Sequence, residues 1–288
     1  MTRARATGFG FGAVLLWSLL ALFTVGSAPV PPFLLSALCF AIGGGFGMIW
    51  LIITGGLRQL AGVPWHVYAF GTVGLFGYHA LYFSALRLAP VAEAGLIAYL
   101  WPLFIVLMSG LLPGERLGAG HLIGAFIAFF GAALIIGAGA AGFRADALAG
   151  YGLAFLCALT WSAYSVGSRR FGAAPTGSVA VFCIASAVLS AGAHLVFEVT
   201  VWPADARGWL AVVGLGLGPV GLAFFVWDIG VKKGDIQLLG VASYAAPLLS
   251  TLILVLAGVA AAHWSLLVAA VLIAAGAALA ARASAKVG

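Results

Sequence analysis

Charge is what this chain has least of. Seven acidic and thirteen basic side chains in 288 residues make it 7% charged, where soluble domains carry about a quarter. With 64% hydrophobic residues and a mean hydropathy of +1.20, that scarcity excludes a soluble globular fold. Cysteine is also sparse. Cys39, Cys157 and Cys183 all fall inside apolar runs, odd in number and without metal-ligand spacing. They read as small buried hydrophobes, which excludes a disulfide scaffold or a zinc site. HExxH, GxSxG, CxxC and paired mid-span aspartates are absent, so no catalytic or metal-binding residues are assigned and no cofactor is expected. An intramembrane enzyme is left as a distant alternative. A carboxylate at mid-depth is missing too; such a group is the simplest ion relay in a coupled carrier, so its absence favours facilitated efflux.

What the chain does have is apolar runs of about 20 residues, the length that crosses a hydrocarbon core of about 30 Å. Ten are delimited by charge, Gly or Pro, near 8–26, 32–54, 65–86, 91–112, 119–139, 148–168, 178–199, 209–231, 237–258 and 264–281. The fold class is therefore an all-α polytopic membrane protein of ten transmembrane helices with short connections and the lipid bilayer as its surroundings. The basic N-terminus followed by an apolar stretch has the outline of a signal peptide. Its apolar part is too long for one, and it is expected to remain as the first span.

The net charge of +6 does not imply nucleic acid, because the basic residues sit singly or in pairs at span ends. With the N-terminus inside, Arg3, Arg5, Arg58, Arg116, Arg169, Arg170, Lys232, Lys233, Arg282 and Lys286 share one side. Only Arg87, Arg144 and Arg207 face the other. This bias predicts cytoplasmic N- and C-termini.

The sequence also repeats. Trp17-Ser18 recurs as Trp161-Ser162, and Tyr99-x-x-Pro102-Leu103 recurs as Tyr244-x-x-Pro247-Leu248, at offsets of 144 and 145 residues. Gly95 finds Gly240, and Arg87 finds Lys232. The chain then divides into 1–145 and 146–288, each with five spans. Five is odd, so the second copy enters the membrane from the opposite side: two inverted five-helix repeats, with a site expected between them near mid-membrane. Small-xxx-small pairs such as Gly43 with Gly47 and Gly214 with Gly218 predict close helix packing.

Aromatic residues at interfaces need no explanation, and Trp50, Trp65, Trp202, Trp209 and Trp264 fall there. Trp17, Tyr78, Tyr82, Tyr99, Trp101, Trp161, Tyr164 and Tyr244 lie within spans, where lipid offers their N–H and O–H groups no partner. They are expected to line a cavity. His79 is either a proton-coupling group or a neutral imidazole bonded to a nearby tyrosine or carbonyl. His194 reads as structural. Pro102 and Pro247 are expected to kink their helices and free the carbonyls of Ala98 and Ser243 for a substrate ammonium. Ser243 joins the candidate substrate-binding set through its place beside the kink; as a lone hydroxyl it could equally serve packing. Asp228 is expected to pair with Lys232 one turn on, and Arg87 and Glu93 to lie at the interface. Aromatic faces with polar groups suit a neutral amino acid or an aromatic cation.

The ten spans, the repeat and the segment LRLAPVAEAGLIAYLWPLFIVLMSGLLPGERL resemble the drug/metabolite transporter superfamily in its EamA branch, and within it the exporters of aromatic amino acids. The Trp-Ser of span 1, the Pro-Leu of span 4 and Gly114-Glu115 carry the likeness. The resemblance selects the amino acid. It implies a monomeric inner-membrane exporter of aromatic and other neutral amino acids working by alternating access, with other small metabolites or cationic drugs as the alternative substrates. In the second half Ala260 stands where Glu115 stands in the first, so no acid role carries over there.

Overall fold

The structure, a computed structural model, describes residues 1–138 and 140–287, with side chains to Ala285. Residue 139, where the sequence places the end of the fifth span, and the side chain of Lys286, counted above among the basic residues, lie outside that description. Nine helices among the described residues are long and apolar enough to cross a membrane. They are α1 (Arg3–Gly26), α2 (Pro32–Ile53), α4 (Val91–Ser109), α5 (Ala119–Ile136), α6 (Ala145–Arg170), α7 (Ser178–Phe197), α8 (Ala206–Lys233), α9 (Ile236–Leu256) and α10 (Ser265–Ala285). The tenth, α3, is helical through Trp65–Thr72, Val73–Gly77 and Tyr78–Leu88. His66, Tyr68, Tyr78, His79 and Tyr82 make it less apolar than its neighbours. Several helices begin before the apolar run does, because a polar residue caps them. The Thr2 hydroxyl accepts from the Arg5 N–H, Asp205 from Gly208, and Asp235 from Leu238, each satisfying a first-turn donor.

The two halves of the sequence interlock. Helix α5 lies along α10, α2 along α7, α1 along α8 and α3 along α6, while α4 packs on both α6 and α9. Every one of these pairs joins an element of the first half to one of the second. Glycine allows the closest crossings. A Cβ on Gly43 of α2 would stand 2.6 Å from the Gly221 Cα of α8, and one on Gly124 of α5 would stand 2.5 Å from the Gly276 carbonyl of α10.

The helices that meet at the centre are irregular in matching places. Helix α3 carries a π-helical turn at Val73–Gly77 and α8 carries one at Gly218–Leu222, 145 residues later. Helix α4 breaks at Tyr99–Leu100 and α9 at Ser243–Tyr244. Helix α1 also breaks, at Ser18–Leu19, whereas its counterpart α6 runs unbroken past Trp161. Wide or interrupted turns of this kind free backbone groups and mark places where helices bend.

The ends of the bundle differ in charge. At one end the Arg169 guanidinium donates to the carbonyls of Val231 (3.1 Å) and Gly234 (2.8 Å) and pairs with Glu115. Arg3 reaches Glu115 at 3.3 Å and Asp235 at 3.5 Å. Lys232 pairs with Asp228 at 2.9 Å, as its spacing predicts, and the Thr176 hydroxyl donates to the same carboxylate at 2.7 Å. At the opposite end Arg87 meets Glu198 at 3.1 Å. Glu198 also accepts from the N–H groups of Phe33 and Leu34 at the start of α2 and bonds to His194. His194 reaches Thr200 with its other nitrogen, at 2.8 Å, so both ring nitrogens hold structure. At the start of α6, Arg144 donates two hydrogen bonds to exposed Asp146.

Candidate functional site

At the middle of the bundle four tryptophans from four helices form one cluster. The ring of Trp17 (α1) lies 6.0 Å from Trp101 (α4), 5.8 Å from Trp161 (α6) and 5.0 Å from Trp227 (α8). Trp227 is in turn 6.0 Å from Trp101 and 6.4 Å from Trp161. Aromatic pairs favour edge and offset contacts at these separations. The cluster continues along α3 and α4: Trp161 to Tyr78 at 5.4 Å, Tyr78 to His79 at 5.2 Å and to Tyr82 at 6.2 Å, and Trp101 to Tyr99 at 6.1 Å.

The polar atoms of the cluster divide into those already bonded and those left open. Trp17 donates its indole N–H to the Pro219 carbonyl in the π turn of α8, at 3.1 Å. Trp227 donates to the Ser165 hydroxyl, at 3.1 Å. The His79 ring approaches the Leu75 carbonyl, in the π turn of α3, with Nδ1 at 2.8 Å. A carbonyl only accepts, so Nδ1 carries the hydrogen and Nε2 of the neutral ring presents a lone pair. That geometry answers the question left by the sequence about what holds the imidazole: it is a backbone carbonyl. The hydroxyls of Tyr78, Tyr82 and Tyr99 and the indole N–H groups of Trp101 and Trp161 have no partner among the described residues, yet none is sealed from solvent-sized space. A polar group left unbonded in a membrane interior costs free energy unless water or a ligand reaches it. This ring of aromatic faces therefore holds donors for a carboxylate, an acceptor for an ammonium and apolar ring faces for a side chain to pack on.

Not every candidate opens onto it. The Ser243 hydroxyl, fully buried, bonds to the Leu239 carbonyl at 2.8 Å. The Tyr244 hydroxyl accepts from the Leu103 N–H at 3.1 Å and is also fully buried. Tyr164 lies against Gly74 in the π turn, where a Cβ would stand 2.5 Å from its ring. Its hydroxyl is buried without a partner. Pro102 and Pro247 follow the breaks of α4 and α9 rather than sitting within continuous helix. The proline at 102 has no N–H to offer the Ala98 carbonyl four residues back. The Ser243 carbonyl differs from expectation: it accepts from the Ala246 N–H at 3.1 Å, because the chain tightens into a turn there. The open part of the site is thus drawn mostly from the first half, and the second half supplies its floor.

Two residues were not singled out from the sequence. Trp227 stands 145 residues after Tyr82, and Phe224, whose ring lies 5.7 Å from Trp161 and 6.3 Å from His79, the same distance after His79; the repeat offset was the signal that could have found both. Glu93, expected at the interface, is 1% exposed. Its Oε1 accepts from the backbone N–H of Ala141 (2.9 Å) and Gly142 (3.0 Å), because the loop after α5 folds over the start of α4. It faces a cavity of about 490 Å³ that Tyr82 also lines. No group of three or more metal-ligating side chains occurs among the described residues.

The sequence profile of the EamA-like transporter family matches this chain twice, over residues 5–137 and 148–282. An aromatic amino acid exporter YddG from Ancylobacter novellus is 55% identical over 287 residues, covering 97% of this chain and 98% of the relative. One of the same name from Salmonella typhimurium is 26% identical over 271 residues, covering 87% and 88%. A solved crystal structure superposes with a TM-score of 0.95 at 54% identity, covering 99% of each chain.

Proposed function

The chain belongs to the EamA-like transporter family, and from that premise we propose that it exports aromatic and other neutral amino acids across the inner membrane. Phenylalanine, tyrosine and tryptophan are the main substrates, with methionine and threonine as smaller ones. The observation that carries this is the set of open polar atoms around the tryptophan cluster. Indole N–H groups of Trp101 and Trp161 take the carboxylate, Nε2 of His79 takes the ammonium, and the rings of Trp17, Tyr78, Tyr82 and Tyr99 hold the side chain. The names of the relatives support the same substrate class.

Transport proceeds by alternating access. The end of the bundle bearing Arg3, Glu115 and Arg169 is the cytoplasmic end, with both termini there, as the Lys and Arg bias favours. The repeats 1–145 and 146–288 supply matching hinges, the π turns of α3 and α8 and the breaks of α4 and α9, which bend to open one end while the other closes. The whole binding site lies within one chain, so a monomer suffices. Asp228 is tied to Lys232 and Thr176, and the His79 ring is tied to a carbonyl. With Asp228 tied and the open Nε2 of His79 given to the substrate ammonium, efflux runs down the amino-acid gradient in this reading.

The test is efflux of labelled phenylalanine from proteoliposomes, with unlabelled tryptophan, methionine, lysine and an aromatic cation as competitors. Saturable flux blocked by tryptophan and methionine, and not by the cation, is the expected result. Flux blocked only by the cation would overturn it and place the protein among exporters of cationic compounds.

A further inference from the structure

Outside the tryptophan cluster, one ionisable group is buried, incompletely bonded and set in a cavity. Glu93 lies in the first turns of α4, at the end of the bundle opposite Arg169. Its Oε1 is anchored by two backbone N–H groups. Its Oε2 has no hydrogen-bond partner among the described residues and is not sealed off. No described cation stands against it: Arg87 is engaged by Glu198, and Arg144 by Asp146. A buried carboxylate without a counter-charge is costly, and a cation arriving in the cavity relieves that cost. The walls include Tyr82, Pro90, Val91, Ala92, Gly95 and Ile136, apolar side chains with polar surface among them.

We propose that this cavity is an outer subsite, in which Glu93 holds the ammonium of the amino acid after it leaves the tryptophan cluster. The inference rests on the export function above. Tyr82 connects the two places, since its ring stacks on Tyr78 of the cluster and also lines the outer cavity. Glu93 precedes Tyr99 by six residues of helix, a rise of about 9 Å at 1.5 Å per residue. That exceeds the span of an amino acid's charged groups, so the two sites are occupied in succession. As the substrate moves outward its ammonium passes from His79 Nε2 to Glu93 Oε2, while its ring slides along Tyr78 and Tyr82. The Tyr82 hydroxyl is placed to donate to the carboxylate as it follows. A group with an ammonium on an apolar body fits; an anion is repelled by Glu93.

The test uses the full-length protein in proteoliposomes. 2-Phenylethylamine, which keeps the ammonium, and 3-phenylpropionate, which keeps the carboxylate, each compete with labelled phenylalanine from the exit side. Glu93→Gln retains an oxygen for the Ala141 and Gly142 N–H groups and removes the charge. The expected result is a tenfold or larger rise in the 2-phenylethylamine concentration needed for half-inhibition, with the 3-phenylpropionate value no higher than in the wild type. Unchanged sensitivity to the amine, or an equal loss for both competitors, would overturn the subsite. If Glu93→Gln does not fold, Ala92→Leu fills the cavity from its wall and leaves Glu93 in place. The same selective loss supports the subsite there, and unaltered amine inhibition overturns it. Wild-type protein that carries no phenylalanine would remove the export reading and the subsite together. Wild-type flux with an unaffected Glu93→Gln variant removes the subsite alone.

Discussion

The hydroxyl of Tyr244 accepts a hydrogen bond from the backbone N–H of Leu103 at 3.1 Å, across the crossing of α9 and α4. The break of α4 at Tyr99–Leu100 takes the Leu103 N–H away from its place in the helix, and a side chain from the other half replaces the lost acceptor. Tyr99 occupies the equivalent position in the first half, 145 residues earlier. Its hydroxyl has no such partner among the described residues. One tyrosine of the symmetric pair has become structural, and the other has been left for the substrate.

Tyr244→Phe and Tyr99→Phe should therefore behave differently. The first leaves a buried N–H unpaired, a loss of about 1–3 kcal/mol, and should lower the melting temperature in detergent. The second removes a hydroxyl that bonds nothing in the protein. It should leave the melting temperature alone and raise the phenylalanine concentration for half-maximal flux. Equal thermal losses would show that both hydroxyls hold structure.

The two glycines of the first π turn make a second contrast. A Cβ on Gly74 would stand 2.5–2.7 Å from the side chain of Tyr164, but one on Gly77 meets nothing nearer than 3.6 Å. Gly74→Ala should force apart α3 and α6 and reduce both folded yield and flux. Gly77→Ala should keep yield at the wild-type level, since Ala favours helix over Gly by about 1 kcal/mol. Gel-filtration profiles and initial efflux rates measure the two outcomes.

The ten spans were legible because apolar runs of membrane length leave little alternative. The breaks of α4 and α9 were legible through Pro102 and Pro247, whose missing N–H groups interrupt a helix. The π turns at Val73–Gly77 and Gly218–Leu222 were not, because their glycines are as common elsewhere in the chain. The sequence singled out Trp17, Trp101 and Trp161, whose rings the structure brings together, but it could not tell which polar atoms point outward. Ser243 and Tyr244 look like binding residues until Leu239 and Leu103 are seen to use their hydroxyls. Glu93 looks interfacial until the loop at Ala141 and Gly142 closes over it. Those contacts join positions about 50 to 140 residues apart or turn inward on one helix, and residue type alone specifies neither.

Arg169 and Arg3 share Glu115 but should differ in weight. Arg169 is 19% exposed and also caps the carbonyls of Val231 and Gly234, whereas Arg3 is half exposed. A lysine cannot reproduce the planar fork that reaches three acceptors. Arg169→Lys should destabilise this end of the bundle and lower the melting temperature by several degrees. Arg3→Gln should have little effect, as expected of an exposed ion pair. If Arg3→Gln is as damaging as Arg169→Lys, the closure of this end depends on net charge rather than on the guanidinium fork.

The open indole N–H groups give the sharpest test of how a zwitterion is held. Trp101→Phe keeps an aromatic ring beside Trp17, Trp161 and Trp227 while deleting one donor. If that donor meets the substrate carboxylate, phenylalanine should need about tenfold more concentration for half-maximal flux, the scale of a hydrogen bond to a charged group. Inhibition by 2-phenylethylamine, which has no carboxylate, should not change. The pattern should be the reverse of that for Glu93→Gln, which affects the amine and spares 3-phenylpropionate. Trp17→Phe provides the control, because its N–H is already given to Pro219. Its loss should disturb the π turn of α8 and slow transport of every substrate alike. A Trp101→Phe variant that weakens phenylalanine and 2-phenylethylamine equally would assign the indole to packing, and would move the carboxylate to Trp161 or the tyrosine hydroxyls.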